Sequence, residues 1–231
     1  MLQLPRQRAD PDSNPAGVFP YRGAPPSSVY NGTMKRYAAA LAVLLPCLVA
    51  SVGDVDKAKV LGNPGAPVRI ELFSDFQCPS CKGFHEILLP MMMKDFVAPG
   101  KAYIICREFP LQMHPYSREA AGYATAAAQV GKYQQVADAL FRNQGTWAAN
   151  GKVWDAAASV LSPAEQKKVL ALAKESSITT AVQQDVDLGN MARVNQTPTL
   201  LLTRGNRHYA FPGPELGNYT LLKSLIDELL K

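Results

Sequence analysis

The sequence predicts an α/β fold in which one mixed central sheet is built from two separate parts of the chain. A β-α-β pattern occupies residues 68–106, and a β-β-α pattern occupies residues 199–230. Between these two units, residues 112–193 are helical in character. Sheets are stabilised by helices that pack on their faces, so the two outer units fit one layered domain. We therefore expect a single α/β domain that is interrupted by a helical insertion.

The first unit contains two β-prone runs and a helix. Residues 68–73 (VRIELF) and 102–106 (AYIIC) are short, apolar and rich in β-formers, and residues 82–96 between them carry apolar side chains at helical spacing. A helix between two strands predicts a parallel pair with a crossover connection. The apolar side of this helix is expected to include Phe84, Ile87, Leu88 and Met91.

The helical insertion is predicted from its composition and from one strong helix start. Residues 117–130 are rich in alanine, and residues 132–143 and 177–193 continue the helical pattern. Ser162-Pro163-Ala164-Glu165 places serine at the N-cap, proline at the first helical position and glutamate at the third. The chain therefore enters a new helix at this point.

The last unit restores the strand signals. Residues 199–203 (TLLLT) and 208–211 (HYAF) flank a Gly205-Asn206 turn, and residues 219–230 form an amphipathic helix. A β-α-β unit and a β-β-α unit that share one sheet form a thioredoxin fold. The sequence thus predicts a thioredoxin fold that is split by the insertion.

The amino-terminal segment reads as a targeting signal. Residues 34–53 combine Met34-Lys35-Arg36, an apolar stretch of about 14 residues and three small residues, which is typical of a secretory signal peptide. The apolar stretch is shorter than the roughly 20 residues of a membrane span. We expect export to the periplasm or cell envelope, with an uncleaved membrane anchor as the alternative.

Residues 1–33 are rich in proline, glycine and serine and lack hydrophobic periodicity. They are expected to be a disordered or non-native extension, with Met34 as the true start and residues 54–231 as the folded domain. Of the net charge of +5, residues 1–53 carry +3, from five basic and two acidic residues. The domain has no basic stripe, so no nucleic-acid partner is expected.

Cys78-Pro79-Ser80-Cys81 lies where the first predicted strand meets the helix. A sulfur at a helix N-terminus faces unpaired N–H groups and the positive end of the helix dipole, which favour the reactive thiolate. Cys81 is one turn further along and is expected to be more buried. Cys78 should therefore meet the substrate, while Cys81 resolves the mixed disulfide, and Pro79 suits the first helical turn.

Two other uses of this pair are a zinc site and a structural disulfide. Zinc needs four ligands, but there is no second C-x-x-C, and His85, His114 and His208 are scattered. A disulfide that closes so short a loop removes little chain entropy. The redox interpretation is favoured, and it requires no cofactor beyond the Cys78–Cys81 disulfide and no metal.

Thr197-Pro198 directly precedes the strand predicted at residues 199–203. In a thioredoxin fold this loop lies against the cysteine pair. We expect a cis Pro198 that presents the backbone of Thr197 to an extended substrate peptide. The alternative is a trans proline that limits an edge strand.

These features resemble the DsbA-like family of exported thiol:disulfide oxidoreductases. The matching stretches are FSDFQCPSCKGFHE (73–86), REFPL (107–111), HP (114–115) and QTPTLLL (196–202). The resemblance implies a nucleophilic Cys78, a resolving Cys81, a cis Pro198 and an insertion that caps the active site. It also implies unfolded or partly folded exported proteins as substrates, and a membrane redox partner for recycling.

The family often uses a buried carboxylate near the resolving cysteine, and Glu71 and Asp75 are the candidates here. Ser80 replaces the histidine of the strongest oxidants, which argues against a strongly oxidising potential. Cys106 is expected to be a buried, inert thiol. An oxidase is favoured, with a reductase or isomerase using the same site as one alternative and a non-catalytic peptide-binding chaperone as another.

Overall fold

The computed structural model describes residues 57–213 and 217–231. The predicted extension (1–33) and signal peptide (34–53) therefore lie outside the described residues. Within the described ranges, no helix is both long enough and apolar enough to cross a bilayer.

Five strands form one mixed sheet in the order β1-β3-β2-β4-β5. The central strands β2 and β3 run parallel, and β1, β4 and β5 join the sheet antiparallel to their neighbours. The predicted α/β class, mixed sheet and crossover connection are thus confirmed. The two residues of β1 were not predicted, because so short a run carries no periodicity. The strands are β1 Val60–Leu61, β2 Val68–Ser74, β3 Ala102–Glu108, β4 Thr199–Arg204 and β5 Arg207–Pro212.

Eight helices surround the sheet within the described residues. The helix start predicted at Ser162 is present as a full capping box with Glu165, whereas the short helices α4 and α5 were not predicted separately. The helices are α1 (79–97), α2 Ser117–Ala128, α3 Tyr133–Arg142, α4 Gln144–Asn150, α5 Val153–Ala158, α6 Pro163–Leu172, α7 Ser176–Met191 and α8 Tyr219–Leu230.

Helix α1 alternates between α-helical and π-helical turns, the latter at Phe84–Leu88 and Met93–Val97. A π turn contains one additional residue, so it rotates every side chain that follows. The prediction that Ile87 and Met91 lie on the packed side was therefore wrong, since their exposed fractions are 64% and 40%. The side chains of α1 that are buried beyond the cysteine pair are Phe84, Leu89, Met92, Phe96 and Val97.

The two faces of the sheet are covered by different helices. Alternate residues of β2, such as Ile70 and Leu72, pack with α1 and α8 in one core. On the other face, Phe73 packs with Phe109 and Val194, beside α7. The insertion has a third core, built on the alanines of α2, and this core includes both Cys78 and Cys81. The cysteine pair thus lies at the boundary between the sheet and the insertion.

Candidate active site

The Cys78–Cys81 pair begins helix α1, as the sequence predicts. Cys78 is the N-cap, with an extended backbone (φ −74°, ψ 122°), and Pro79 follows in the first turn. The N–H of Lys82 donates to the Cys78 carbonyl oxygen at 3.2 Å, which closes that turn. Both cysteines are free thiols. Cys78 retains 7% exposure while Cys81 has none, so Cys78 is the sulfur that a substrate can reach.

The local electrostatics give the two thiols opposite properties. The pKa of Cys78 is lowered to about 5, first by a hydrogen bond with the Cys81 side chain and further by the backbone N–H groups of Cys81 and Ser80, against the effect of burial. Burial, and then the neighbouring Cys78, raise the pKa of Cys81 well above its ordinary value. The pair therefore consists of a thiolate nucleophile and a protonated partner.

This difference predicts how alkylation of the reduced protein depends on pH. Because the pKa of Cys78 is about 5 instead of 9, its thiolate accumulates above pH 5. The iodoacetamide rate should rise through pH 5 and level off by about pH 6, and mass spectrometry should find one label, on Cys78. The thiolate also stabilises the folded reduced protein increasingly from pH 5 towards pH 9. A rate midpoint near pH 8–9 would contradict this assignment.

The Thr197-Pro198 loop lies directly against the nucleophile. The Thr197–Pro198 peptide bond is cis, which confirms the sequence prediction. The Cys78 sulfur lies 3.4 Å from the Thr197 carbonyl oxygen and donates to it as a thiol. The short backbone edge at Thr197 is therefore positioned beside the atom that would form a mixed disulfide.

Asp75 is close to the cysteine pair, but its carboxylate is fully occupied. The side chain is buried, and its backbone N–H lies 3.4 Å from the Cys81 sulfur as a donor. A carboxylate that accepts this many bonds holds the surrounding loops together beside the cysteine pair. Its four donors are Gln77 N–H at 2.7 Å, Leu111 N–H at 2.8 Å, His114 Nδ1 at 2.7 Å and Ser117 Oγ at 2.5 Å.

Glu71 is not brought to the cysteine pair. It lies on the same face of β2 as Phe73, opposite the face on which α1 packs. There its carboxylate accepts a hydrogen bond from Arg107 Nη2 at 2.9 Å. The expectation that Glu71 assists Cys81 is thus corrected by the alternation of the strand.

A second buried carboxylate near the site is Glu108, which sequence reasoning missed. Burial is the main cause that raises its pKa to about 7, and Tyr133 Oη donates to it at 2.8 Å. Glu108 lines a cavity of about 190 Å³ together with Ser74, whose hydroxyl hydrogen-bonds Cys81. The sequence did contain one indication of a buried charged cluster, which is the adjacent pair Arg107-Glu108 in an otherwise apolar strand.

Cys106 also lines this cavity and is half-buried rather than fully buried. Burial, followed by the charge of Glu108, raises the pKa of Cys106 to about 12. Its thiol therefore stays protonated at physiological pH, and the inert role stays a prediction.

Comparisons with known proteins match this geometry. A family model described as thioredoxin matches residues 54–211. Disulfide bond formation protein D of Bacillus subtilis is 29% identical over 152 residues, which cover 61% of this chain and 65% of that protein. The crystal structure of oxidised BdbD from Bacillus subtilis superimposes with a TM-score of 0.63 at 25% identity, and covers 75% of this chain and 94% of that one.

A third relative has a different name. Na(+)/H(+) antiporter NhaA 3 of Salinispora tropica is 29% identical over 157 residues, which are 68% of this chain but 23% of that protein. The chain thus spans less than two thirds of the length of either curated relative.

Proposed function

This chain belongs to the thioredoxin family, in its DsbA-like group, and we propose that it exchanges disulfides with substrate proteins through Cys78 and Cys81. The observation that carries the proposal is the Cys78 sulfur itself. It combines a pKa of about 5 with a position beside the Thr197 backbone. A thiolate next to a short backbone edge is what disulfide exchange with an extended polypeptide needs.

In the oxidase direction a substrate thiolate attacks the Cys78 sulfur of the Cys78–Cys81 disulfide. A mixed disulfide forms, and Cys81 leaves as a thiolate that takes up a proton because its pKa is raised. A second substrate thiolate then attacks the substrate sulfur of the mixed disulfide. The substrate disulfide forms, Cys78 leaves as a stable thiolate, and two electrons have passed from the substrate to the pair.

The lowered pKa of Cys78 supports the oxidase direction over the reductase direction. Stabilisation of the thiolate stabilises the reduced pair, so the disulfide becomes a better electron acceptor. A reductase or an isomerase would use the same two residues with the equilibrium displaced. Ser80 is exposed and supplies no imidazole to the Cys78 sulfur. We therefore propose a reduction potential lower than that of the strongest oxidants in the family.

We also propose that the chain is exported and acts on unfolded or partly folded exported proteins. The support is the signal-like pattern of residues 34–53 in the sequence. A membrane redox partner would reoxidise the reduced pair after each cycle, and no cofactor other than the disulfide would take part.

The proposal is tested by mixing the oxidised protein with a reduced peptide that contains two cysteines. We expect one peptide disulfide for each protein molecule reduced, followed by mass spectrometry. Equilibration with glutathione buffers should then give a potential above about −200 mV. A potential near −270 mV would overturn the oxidase direction, and failure to transfer the disulfide would overturn the function.

A further inference from the structure

Gln144 connects the helical insertion to the backbone of the nucleophile. It is the first residue of α4 and is buried, with 6% exposure. Its Nε2 donates to the carbonyl oxygen of Phe76 at 2.7 Å and to that of Cys78 at 3.0 Å. One side-chain amide thus binds both ends of the segment 76–78, which leads into helix α1.

The rest of this turn is also attached to the insertion. The side-chain oxygen of Gln77 accepts the Tyr116 N–H at 2.9 Å, and Asp75 accepts the donors from residues 111–117 described above. Gln144 differs from these two contacts because it reaches the backbone of Cys78 itself. Among the hydrogen bonds described, the one from Gln144 therefore links the insertion directly to Cys78.

The bond from Gln144 to the Cys78 carbonyl oxygen acts on the sulfur through the first helical turn. The Cys78 carbonyl also accepts the N–H of Lys82, so Gln144 helps to fix the first helical turn. That turn aims the N–H groups of Ser80 and Cys81 at the sulfur.

We propose that the helical insertion sets the reactivity of Cys78 through Gln144, which acts as a positioning residue. The inference rests on the proposed function, since the thiolate it controls is the one that exchanges disulfides. Substitution of Gln144 changes the nucleophile without removing any atom that reacts. The insertion is therefore part of the redox centre as well as its cover.

The test measures the pH profile of Cys78 alkylation by iodoacetamide in two variants. Gln144→Met keeps the length of the side chain and removes the hydrogen-bond donor. We expect the pKa of Cys78 to rise by about 0.5–1 unit. At a pH below this pKa, the thiolate fraction should therefore fall about three- to tenfold. Gln144→Glu keeps the shape but adds a negative charge, so it should raise this pKa further.

A matched control exists in the same insertion. Gln166 Nε2 also donates to two backbone carbonyl oxygens, those of Ala158 and Leu161, both at 3.1 Å. Gln166→Met therefore loses the same kind of bond far along the chain from the cysteines. It should lower the melting temperature and leave the alkylation profile of Cys78 unchanged.

The results separate positioning from simple stabilisation. If the Gln144 variants lower the melting temperature but keep the wild-type profile, the proposal is overturned. Circular dichroism checks folding, and if Gln144→Met unfolds, Gln144→Asn decides, since it keeps the amide but is one methylene too short to hold both carbonyl oxygens. Alkylation needs no substrate protein, so a failure of the proposed function, seen as no disulfide transfer by the wild type, is distinct from a failure of this inference.

Discussion

Cys81→Ala is expected to accumulate stable mixed disulfides between Cys78 and substrate proteins, whereas Cys78→Ser should form none. Without the Cys81 thiol, the bond between Cys78 and a substrate thiol has no resolving group inside the protein. Each Cys81→Ala molecule should therefore remain coupled to a substrate until an external thiol releases it. Turnover of a dithiol peptide should fall to the uncatalysed rate in both variants.

The reduced variant is mixed with a substrate protein that carries a disulfide, so that the Cys78 thiolate attacks this bond and releases one substrate thiol. Non-reducing electrophoresis then measures the trapped mixed disulfide. Cys106→Ala is the matched control, since its thiol is held protonated by a pKa of about 12 and lies outside the pair. This control should exchange disulfides as the wild type does. Full turnover by Cys78→Ser would instead contradict the assignment of Cys78 as the nucleophile.

Asp185→Ala is expected to lower the free energy of unfolding by about 3–5 kcal/mol. Asp185 is buried on α7 and accepts bonds from Lys59 Nζ at 2.9 Å, Arg107 Nη1 at 3.0 Å and the N–H of Glu108 at 3.1 Å. Its removal would leave two buried cations short of their counter-charge. Lys59 would keep Glu108 and Arg107 would keep Glu71, but the loss of one charge from a buried ion cluster is costly.

Urea unfolding, followed by circular dichroism, measures this loss. Asp187 provides the control, because it is exposed on the same helix and contacts only Gln183 in the described structure, at 2.8 Å. Asp187→Ala should leave the urea midpoint almost unchanged. Equal small shifts in the two variants would show that the buried cluster contributes little to stability.

The sequence by itself determined the features that depend on neighbouring residues. The cysteine spacing, the proline in the first turn and the preceding β-prone run place Cys78 at a helix N-terminus, and the structure has it there. The helix start at Ser162 and the amphipathic helix before the carboxyl end were predicted for the same reason. In each case the energy comes from contacts within about one or two helical turns.

The prediction of a cis Pro198 depended on the predicted fold as well as on the neighbouring residues. The Thr197-Pro198 sequence permits either isomer, and only the expected strand order placed this loop beside the cysteine pair. The prediction was correct because the arrangement of the strands was correct. The prediction that Glu71 assists Cys81 was wrong, because the sequence does not show which face of the sheet is covered by the helix that carries the cysteines.

Only the tertiary structure decided which polar groups surround the pair. The π turns rotate α1 and expose Ile87, and no spacing rule predicts where such turns occur. Lys59 and Asp185 meet across 126 positions of sequence, and Gln144 reaches Cys78 across 66. Contacts of this range follow from how the insertion packs on the sheet, because burial forces each polar group to find a partner wherever the fold provides one.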